Sequence, residues 1–202
     1  RDLRMSRGLG DVYKRQDDSY HGITYAEHFG KEGAFITKAT AQLMRDFGCV
    51  QSPINAYMLN LGLESLHVRM ARHCENGQAV AEFLASHPKI AYVNYCGLPG
   101  DKYHAVAEKY LPNGSCGVVS FGVKGGREAA AAFMGHLKIA AIETHVADAR
   151  TCCLHPASST HRQMNDEQLI AAGVQPDLVG MSCGLEDKND LIHDIAQALD
   201  QI

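Results

Sequence analysis

Residues 148–162 read DARTCCLHPASSTHR, and this stretch decides how the rest of the chain is interpreted. Its first half predicts a short strand that runs through Leu154 into a turn at Pro156. A cluster of Ser and Thr residues follows, and an acidic-capped helix begins near Asn165. Polar residues at a strand end beside a turn of small hydroxyl side chains are common in ligand clefts, although a buried strand followed by a proline turn is the simpler explanation.

Alternation along this strand divides its side chains into two sets. Thr151 and Cys153 are predicted to point to one face of the sheet. Arg150, Cys152 and Leu154 are predicted to point to the other face. The two sets therefore face different surroundings, whichever face is buried.

Four potential zinc ligands occur close together in the same stretch, at Cys152, Cys153, His155 and His161. Because Cys152 and Cys153 point to opposite faces of a regular strand, they cannot both turn inward, and no metal site is predicted. The sequence also shows no thiolate-favouring neighbour that would indicate a cysteine nucleophile.

The region after Pro88 alternates strands and helices, which is typical of an α/β layer. The predicted strands are 90–95, 117–123, 139–144, 151–154 and 178–183, and the predicted helices are 103–110, 127–137, 166–172 and 187–201. The predicted fold class is α/β, with a short-stranded sheet of four or five strands and helices packed on it. The run GVKGG at 122–126 has neither the Lys-Ser/Thr ending of a phosphate loop nor the spacing of a dinucleotide site, so it is interpreted as a turn.

A long helix is predicted ahead of this layer, over residues 52–87. Ser52 and Pro53 supply an N-cap and a favourable first helical residue, and apolar residues recur with helical spacing along the segment. An unbroken helix of this length would be about 50 Å long, so a break or bend is expected near Asn76 and Gly77. Such a helix can connect two lobes.

A shorter helix is predicted at 36–47, with Gly48 as its C-terminal stop. Lys38 lies within it, in the sequence ITKA. A lysine beside a threonine invites a Schiff-base interpretation, but lysines on helix surfaces are far commoner. Lys38 is therefore interpreted as an ordinary helix lysine.

Composition favours small-molecule chemistry. The 202 residues carry a net charge of -4, with a sequence pI near 6.3 and no basic cluster beyond the first sixteen residues. These values argue against a nucleic-acid or membrane-surface partner. The seven cysteines form no CxxC pair and are odd in number, which predicts reduced thiols and a cytoplasmic protein.

Residues 1–16, RDLRMSRGLGDVYKRQ, look foreign to the rest of the chain. They are basic and without periodicity, and DVYKRQ resembles an in-frame translation of a transposon-end adapter. This segment is predicted to be non-native, in which case the chain is a fragment of a longer protein.

Several long blocks carry a resemblance to a known family. They are, in order, YHG, TKATAQLMRDFG, QSPINAYMLNLGLESLHVRMARHCENG, YLPNGSCGVVSFGVKGG, HVADART, LHPASSTH and DLVGMSCGLED. In this order they resemble the C-terminal part of O-acetylhomoserine sulfhydrylases, in the pyridoxal-phosphate-dependent Cys/Met metabolism family. The resemblance covers residues 17–202.

The resemblance implies a fold-type-I enzyme whose small C-terminal domain closes over the substrate. Residues 17–51 would be the tail end of the large cofactor-binding domain, 52–87 the long interdomain helix, and 88–202 the small domain. The implied enzyme is a transferase of methionine biosynthesis that uses pyridoxal 5'-phosphate. It replaces the acetyl group of O-acetylhomoserine with sulfide or a thiol to give homocysteine, and it is a homotetramer.

The resemblance also implies which site residues are present. The family's Schiff-base lysine and other cofactor contacts precede the YHG block, so no catalytic or cofactor-binding residue is expected here, and Lys38 is not the catalytic lysine. Thr151 matches a residue near the substrate carboxylate. Gly180 stands where the family has a carboxylate-binding arginine, and Arg150 is expected not to replace that arginine, because alternation turns it away from the face of Thr151.

Two hypotheses follow. The chain is a piece of a sulfhydrylase that is inactive alone, or it is a non-catalytic binding or oligomerisation domain from a decayed or truncated gene. In the first case, the surface that packs on the missing domain, including part of the long helix, is expected to be exposed and apolar.

Overall fold

The computed structural model of the protein describes residues 14–202, so most of the adapter-like segment lies outside the described residues. The chain divides into two compact units, of which the first ends at Leu61 and the second covers Gly62–Ile202. This boundary falls between the limits 51 and 87 that the sequence suggested for the connecting helix.

The first unit is mainly helical. A two-stranded antiparallel ribbon, β1 (Gln16–Asp17) and β2 (Ile23–Thr24), precedes helices α1 (Tyr25–His28) and α2 (Gly30–Thr37). A π-helical segment, Lys38–Met44, follows α2 directly and leads into α3 (Arg45–Phe47). The helix predicted at 36–47 therefore starts earlier than expected, because Gly33 lies inside it and does not stop it.

The long helix is interrupted at Ser65, not near Asn76 and Gly77 as predicted. It consists of α4 (Pro53–Glu64) and α5 (Leu66–Ser86). Gly77 has another function, since a Cβ atom there would lie 2.6 Å from the carbonyl oxygen of Cys116. This glycine permits close packing of a continuous helix instead of a bend.

Helix α4 has no buried residue. Its exposed large apolar side chains are Ile54, Tyr57, Met58, Leu59, Leu61 and Leu63. Exposed apolar surface on the long helix was expected, and α4 carries it. Among the described residues, no helix is both long and apolar enough to cross a membrane.

The second unit is built on a five-stranded sheet with the order β3-β4-β7-β6-β5. Neighbouring strands are antiparallel except β5 and β6, which are parallel. The strands are β3 (Ile90–Asn94), β4 (Val118–Val123), β5 (Ala141–Ile142), β6 (Cys152–Leu154) and β7 (Leu178–Ser182). The helices that follow α5 are α6 (His104–Tyr110), α7 (Gly126–His136), α8 (Asp166–Ala171) and α9 (Lys188–Asp200). All nine strands and helices predicted after Pro88 are present, with shifted ends, and the α/β fold class is confirmed.

Helices α5, α7 and α9 cover one face of the sheet, which we call the core face. Its buried strand residues are Val119, Phe121, Val123, Cys153, Val179 and Met181. Hydrophobic burial on this face supplies most of the stabilisation of the unit.

A buried carboxylate fixes the connection between α7 and β5. Asp194 of α9 accepts hydrogen bonds from the backbone N–H groups of Lys138, Ile139 and Ala140, at 2.8, 2.8 and 3.1 Å. Three successive N–H groups on one carboxylate form an anion-binding turn, and this turn ties the end of α7 to the centre of α9.

Candidate functional site

The other face of the sheet carries a small cavity, and we call it the cavity face. Its strand residues are Val118 of β4, Cys152 and Leu154 of β6, and Gly180 and Ser182 of β7. They share a face because Cys152 is paired with Ser182, Leu154 with Gly180, and Val118 with Ser182.

The segment that follows β5 closes the cavity, whose volume is about 130 Å³. Glu143, His145 and Val146 from this segment line it together with the strand residues. The backbone N–H of Ala147 donates to the hydroxyl of Ser182 at 3.0 Å, so the segment is fastened to the sheet. A cavity of this size accommodates a small polar group, such as a carboxylate.

Charged and thiol groups meet at the edge of the cavity. An Arg150 guanidinium nitrogen lies 3.1 Å from a Glu143 carboxylate oxygen, and the Cys152 sulfur lies 3.9 Å from the other oxygen. Burial, together with the charge of Glu143, raises the pKa of Cys152. A raised pKa disfavours the thiolate form that a cysteine nucleophile needs.

Thr151 lies on the other side of this strand and does not line the cavity. Its hydroxyl donates to Glu186 at 2.8 Å and accepts from the backbone N–H of Gly184 at 2.8 Å, and its own backbone N–H donates to Glu186 at 2.6 Å. Both donors of the buried Thr151 are thus directed to Glu186. Thr151 and Glu186 together hold the start of β6 against the segment that follows β7.

Helix α5 supports the same segment from beneath. The Asn76 side-chain amide donates to the carbonyl oxygens of Gly184 and Glu186 at 2.9 and 2.8 Å, and His73 Nδ1 donates to the Cys183 carbonyl oxygen at 2.6 Å. Glu186, Asn76 and Glu143 were not predicted as site residues from the sequence. Glu186 belongs to the quoted block DLVGMSCGLED, but periodicity gave no signal for its contact with Thr151.

Gly180 has open space on the cavity face. A Cβ atom there would have the Leu154 carbonyl oxygen as its nearest neighbour, at 3.9 Å. Arg150 does turn away from the face of Thr151, as predicted, but Gly180 also lies away from Thr151. Arg150 pairs with Glu143, which lines the same cavity as Gly180, so that the guanidinium group lies near the cavity without being one of its lining residues.

The four potential zinc ligands, for which no metal site was predicted, do not converge. Cys153 is fully buried in the core, and His155 bonds to the Ser158 hydroxyl and the Pro176 carbonyl oxygen at 2.9 and 2.8 Å. His161 lies in an exposed turn beside Thr160. Within residues 14–202, no group of three or more His, Cys, Asp or Glu side chains is placed to hold a metal ion.

Lys38 is buried, which the sequence did not predict. Its ammonium group pairs with Asp17, contacts the Gln42 side chain at 3.1 Å and lies 4.8 Å from the centre of the Tyr25 ring. The ion pair lowers the pKa of Asp17 to about 2. These contacts occupy the ammonium group of Lys38 and give it a structural function.

A sheet covered by helices on one face, with charged, thiol and hydroxyl groups around a cavity on the other, defines an α/β domain with a candidate ligand site on its uncovered face. The sequence matches the family model described as Cys/Met metabolism PLP-dependent enzyme over residues 21–200. The chain belongs to this family.

Individual relatives give a finer comparison. The chain is 43% identical to O-acetyl-L-homoserine sulfhydrylase of Leptospira meyeri over 198 residues, which cover 94% of the chain and 45% of that enzyme. It is 41% identical to homocysteine synthase of Schizosaccharomyces pombe, covering 90% of the chain and 42% of that protein. The chain thus spans less than half the length of these relatives.

A solved structure agrees with this assignment. It is a chain described as an O-acetylhomoserine (thiol)-lyase from Campylobacter jejuni, with N'-pyridoxyl-lysine-5'-monophosphate. The TM-score is 0.78 at 33% identity, over 98% of the present chain and 46% of that chain. The present chain therefore has the fold of part of a fold-type-I enzyme.

Proposed function

We propose that the chain is part of a pyridoxal-phosphate-dependent O-acetylhomoserine sulfhydrylase. The observation that carries this proposal is the 43% identity to such an enzyme over 94% of the chain. The reaction replaces the acetyl group of O-acetylhomoserine with sulfide or a thiol and yields homocysteine for methionine synthesis. Pyridoxal phosphate, when bound, supplies the electron sink that this chemistry needs.

Three lysines of the described residues do not fit covalent attachment of the cofactor. A lysine that binds it covalently needs an amine free to reach the aldehyde, whereas Lys38 is enclosed by Asp17, Gln42 and Tyr25. The Lys89 and Lys188 ammonium groups are bonded to the carbonyl oxygens of Leu199 and Ile202 and to Glu75. The proposal therefore assigns no catalytic step to Lys38, Lys89 or Lys188.

This chain contributes the cavity face to the substrate site in our proposal. Thr151 remains a substrate-site residue, and its two bonds to Glu186 support a positioning function, because they fix the strand that carries Arg150 and Cys152. Gly180 leaves the cavity open. Arg150 then supplies a guanidinium group beside the cavity, where Glu143 pairs with it.

The proposed parent is a cytoplasmic homotetramer. The seven free cysteines support a reducing compartment. The exposed apolar side chains of α4 support a larger assembly, because a helix that is apolar around its circumference is normally buried.

A chimaeric enzyme tests the proposed function. The matching C-terminal part of the Leptospira meyeri sulfhydrylase is replaced with residues 17–202 of this chain, and cofactor content and homocysteine formation from O-acetylhomoserine and sulfide are measured. Arg150→Ala is expected to lower the rate of homocysteine formation by the chimaera. Gly180→Arg is expected to lower its KM for O-acetylhomoserine. A folded chimaera that binds the cofactor but makes no homocysteine, with either residue at position 180, would refute the proposal.

A further inference from the structure

The segment between β5 and β6 covers the cavity, yet it packs only weakly. Residues 144–148 form no helix or strand, and Thr144, His145 and Val146 line the cavity opposite the strands. None of the five residues 144–148 is buried. A segment that covers a cavity without burying a side chain of its own gains little stability from packing. We call residues 144–148 the lid.

Both ends of the lid are anchored to the second unit. The backbone N–H of Glu143 donates to the Cys153 carbonyl oxygen at 3.3 Å, and the Ala149 carbonyl oxygen accepts from the backbone N–H of Leu185 at 2.8 Å. The ion pair between Glu143 and Arg150, at 3.1 Å, also joins the two ends to each other. Movement is therefore confined to the five residues between positions 143 and 149.

One hydrogen bond fastens the middle of the lid to the sheet. The backbone N–H of Ala147 donates to the Ser182 hydroxyl at 3.0 Å. Asp148 also accepts a hydrogen bond, but its donor is the backbone N–H of Arg150, only two residues along the chain. Among the hydrogen bonds within the described part of the chain, the bond to Ser182 alone joins the lid to the sheet. Release of this bond therefore frees the lid.

The fastened residue has a strained backbone. Ala147 has a φ of 58°, in the left-handed region that residues with a Cβ atom rarely adopt. The closed lid requires this conformation, whereas an open lid does not. The strain and the hydrogen bond therefore favour opposite states, and the closed state is held by one bond against an unfavourable backbone.

A thiol beneath the lid reports on its position. Cys152 is 1% exposed, and its sulfur lies 3.9 Å from a carboxylate oxygen of Glu143, at one anchor of the lid. Cys152 lines the cavity, so the lid covers it on that side. Cys183 is buried as well, but it belongs to the hydrophobic core. Opening of the lid exposes Cys152, whereas exposure of Cys183 requires unfolding of the unit.

We propose that residues 144–148 are a lid that opens by release of the Ala147–Ser182 hydrogen bond and admits small ligands to the cavity face. The anchors and the strands stay in place when it opens. The backbone N–H of Ala147 is then free to donate to a ligand, so the ligands expected are small molecules with a hydrogen-bond acceptor. The inference concerns access to the cavity and does not depend on the reaction proposed above.

Alkylation of the intact chain tests the lid. The 202-residue protein is treated with iodoacetamide under native conditions and, in parallel, in urea, and the label at each cysteine is followed by tryptic peptide mapping. Cys152 and Cys183 fall in different tryptic peptides, and fragment spectra distinguish Cys152 from its neighbour Cys153. The ratio of the rates in urea and under native conditions gives the protection of each thiol. Cys152 should be protected about tenfold less than Cys183, because it becomes exposed by local opening.

Substitutions on either side of the hydrogen bond measure its contribution. Ser182→Ala removes the acceptor, so the rate at Cys152, relative to that at Cys183, should rise about three- to tenfold. Ala147→Gly relieves the strained backbone and favours the closed lid, so the same ratio should fall about threefold. Ser120→Ala is the matched control, because Ser120 lies on the cavity face, opposite Gly180, but does not line the cavity. It should leave the ratio unchanged.

The wild-type map alone can overturn the proposal. Equal protection of Cys152 and Cys183 would show that the lid opens only when the whole unit unfolds. A ratio that does not rise in Ser182→Ala, or does not fall in Ala147→Gly, would also overturn it, because the bond and the strain would then not control access. The two variants are expected to change the ratio in opposite directions, and a general loss of stability cannot produce both results.

Discussion

The two faces of the sheet use the same five strands for different purposes. The core face presents Phe121, Val179 and Met181, each almost completely buried against helices. The cavity face presents Gly180 and Ser182 from alternate positions of the same strand, next to charged side chains. Neighbouring residues of β7 therefore have different functions, because one contributes a stabilising contact in the core and the next belongs to the candidate site.

The largest expected effect comes from a core-face substitution. Phe121 is fully buried and packs edge-on against Phe133, with ring centres 5.8 Å apart. Phe121→Ala should lower the free energy of unfolding by about 3–5 kcal/mol through the cavity it leaves. Urea unfolding followed by circular dichroism measures this loss.

Val118 of the same strand is the matched control, because it lies on the cavity face and is 45% exposed. Val118→Ala should cost about 0.5 kcal/mol or less. Similar losses for Phe121→Ala and Val118→Ala would show that both faces are packed, and the contrast between the faces would be wrong.

The next largest effect is expected at the buried carboxylate beneath the core face. Asp194→Ala leaves three backbone N–H groups without their acceptor, so the unfolding free energy should fall by about 3 kcal/mol. Asp200 is an exposed aspartate on the same helix, and Asp200→Ala should be close to neutral. Equal midpoints in urea for the two variants would refute the structural function of Asp194.

Much of this fold could be predicted from periodicity. The run IAYVNY favours a strand and the Ala-rich segment after Gly126 favours a helix, and both elements are present. The bend assigned to Asn76 and Gly77 was wrong because a glycine in a helix has two explanations. Local sequence does not distinguish a flexible point from a close contact with the distant Cys116.

The candidate site was less predictable. Strand alternation correctly separated Cys152 from Cys153, but it could not show that Gly180 would lie beside Leu154, on the same face as Cys152, since strand order is a long-range property. The buried surroundings of Lys38 depend on Asp17, which is 21 residues away in sequence, a separation that no local pattern reveals. Contacts of this kind are set by tertiary packing.

A moderate effect is expected at Thr151, where the two faces meet. Thr151→Val keeps the shape but removes the hydroxyl, so Glu186 loses a donor and the Gly184 N–H loses its acceptor. The unfolding free energy should fall by about 2 kcal/mol. Thr151→Ser retains the hydroxyl and should lose clearly less. A Thr151→Val variant as stable as wild type would show that the hydroxyl is free, and thus available to a ligand directly.

The smallest effect on stability is expected at Gly180, and this substitution tests the difference between the core face and the cavity face most directly. Gly180→Ala adds a methyl group to open space, 3.9 Å from the nearest atom, so stability should change by no more than about 0.5 kcal/mol. Gly184→Ala is the matched variant, because its Cβ would lie 2.5 Å from the Ala149 carbonyl oxygen and must displace backbone. Thermal unfolding of the two proteins distinguishes the sites, and a Gly180→Ala variant as unstable as Gly184→Ala would mean that the cavity is filled.

A tolerated alanine would instead establish that position 180 can accept a larger side chain. This is the condition for Gly180→Arg to place a second guanidinium group beside Glu143.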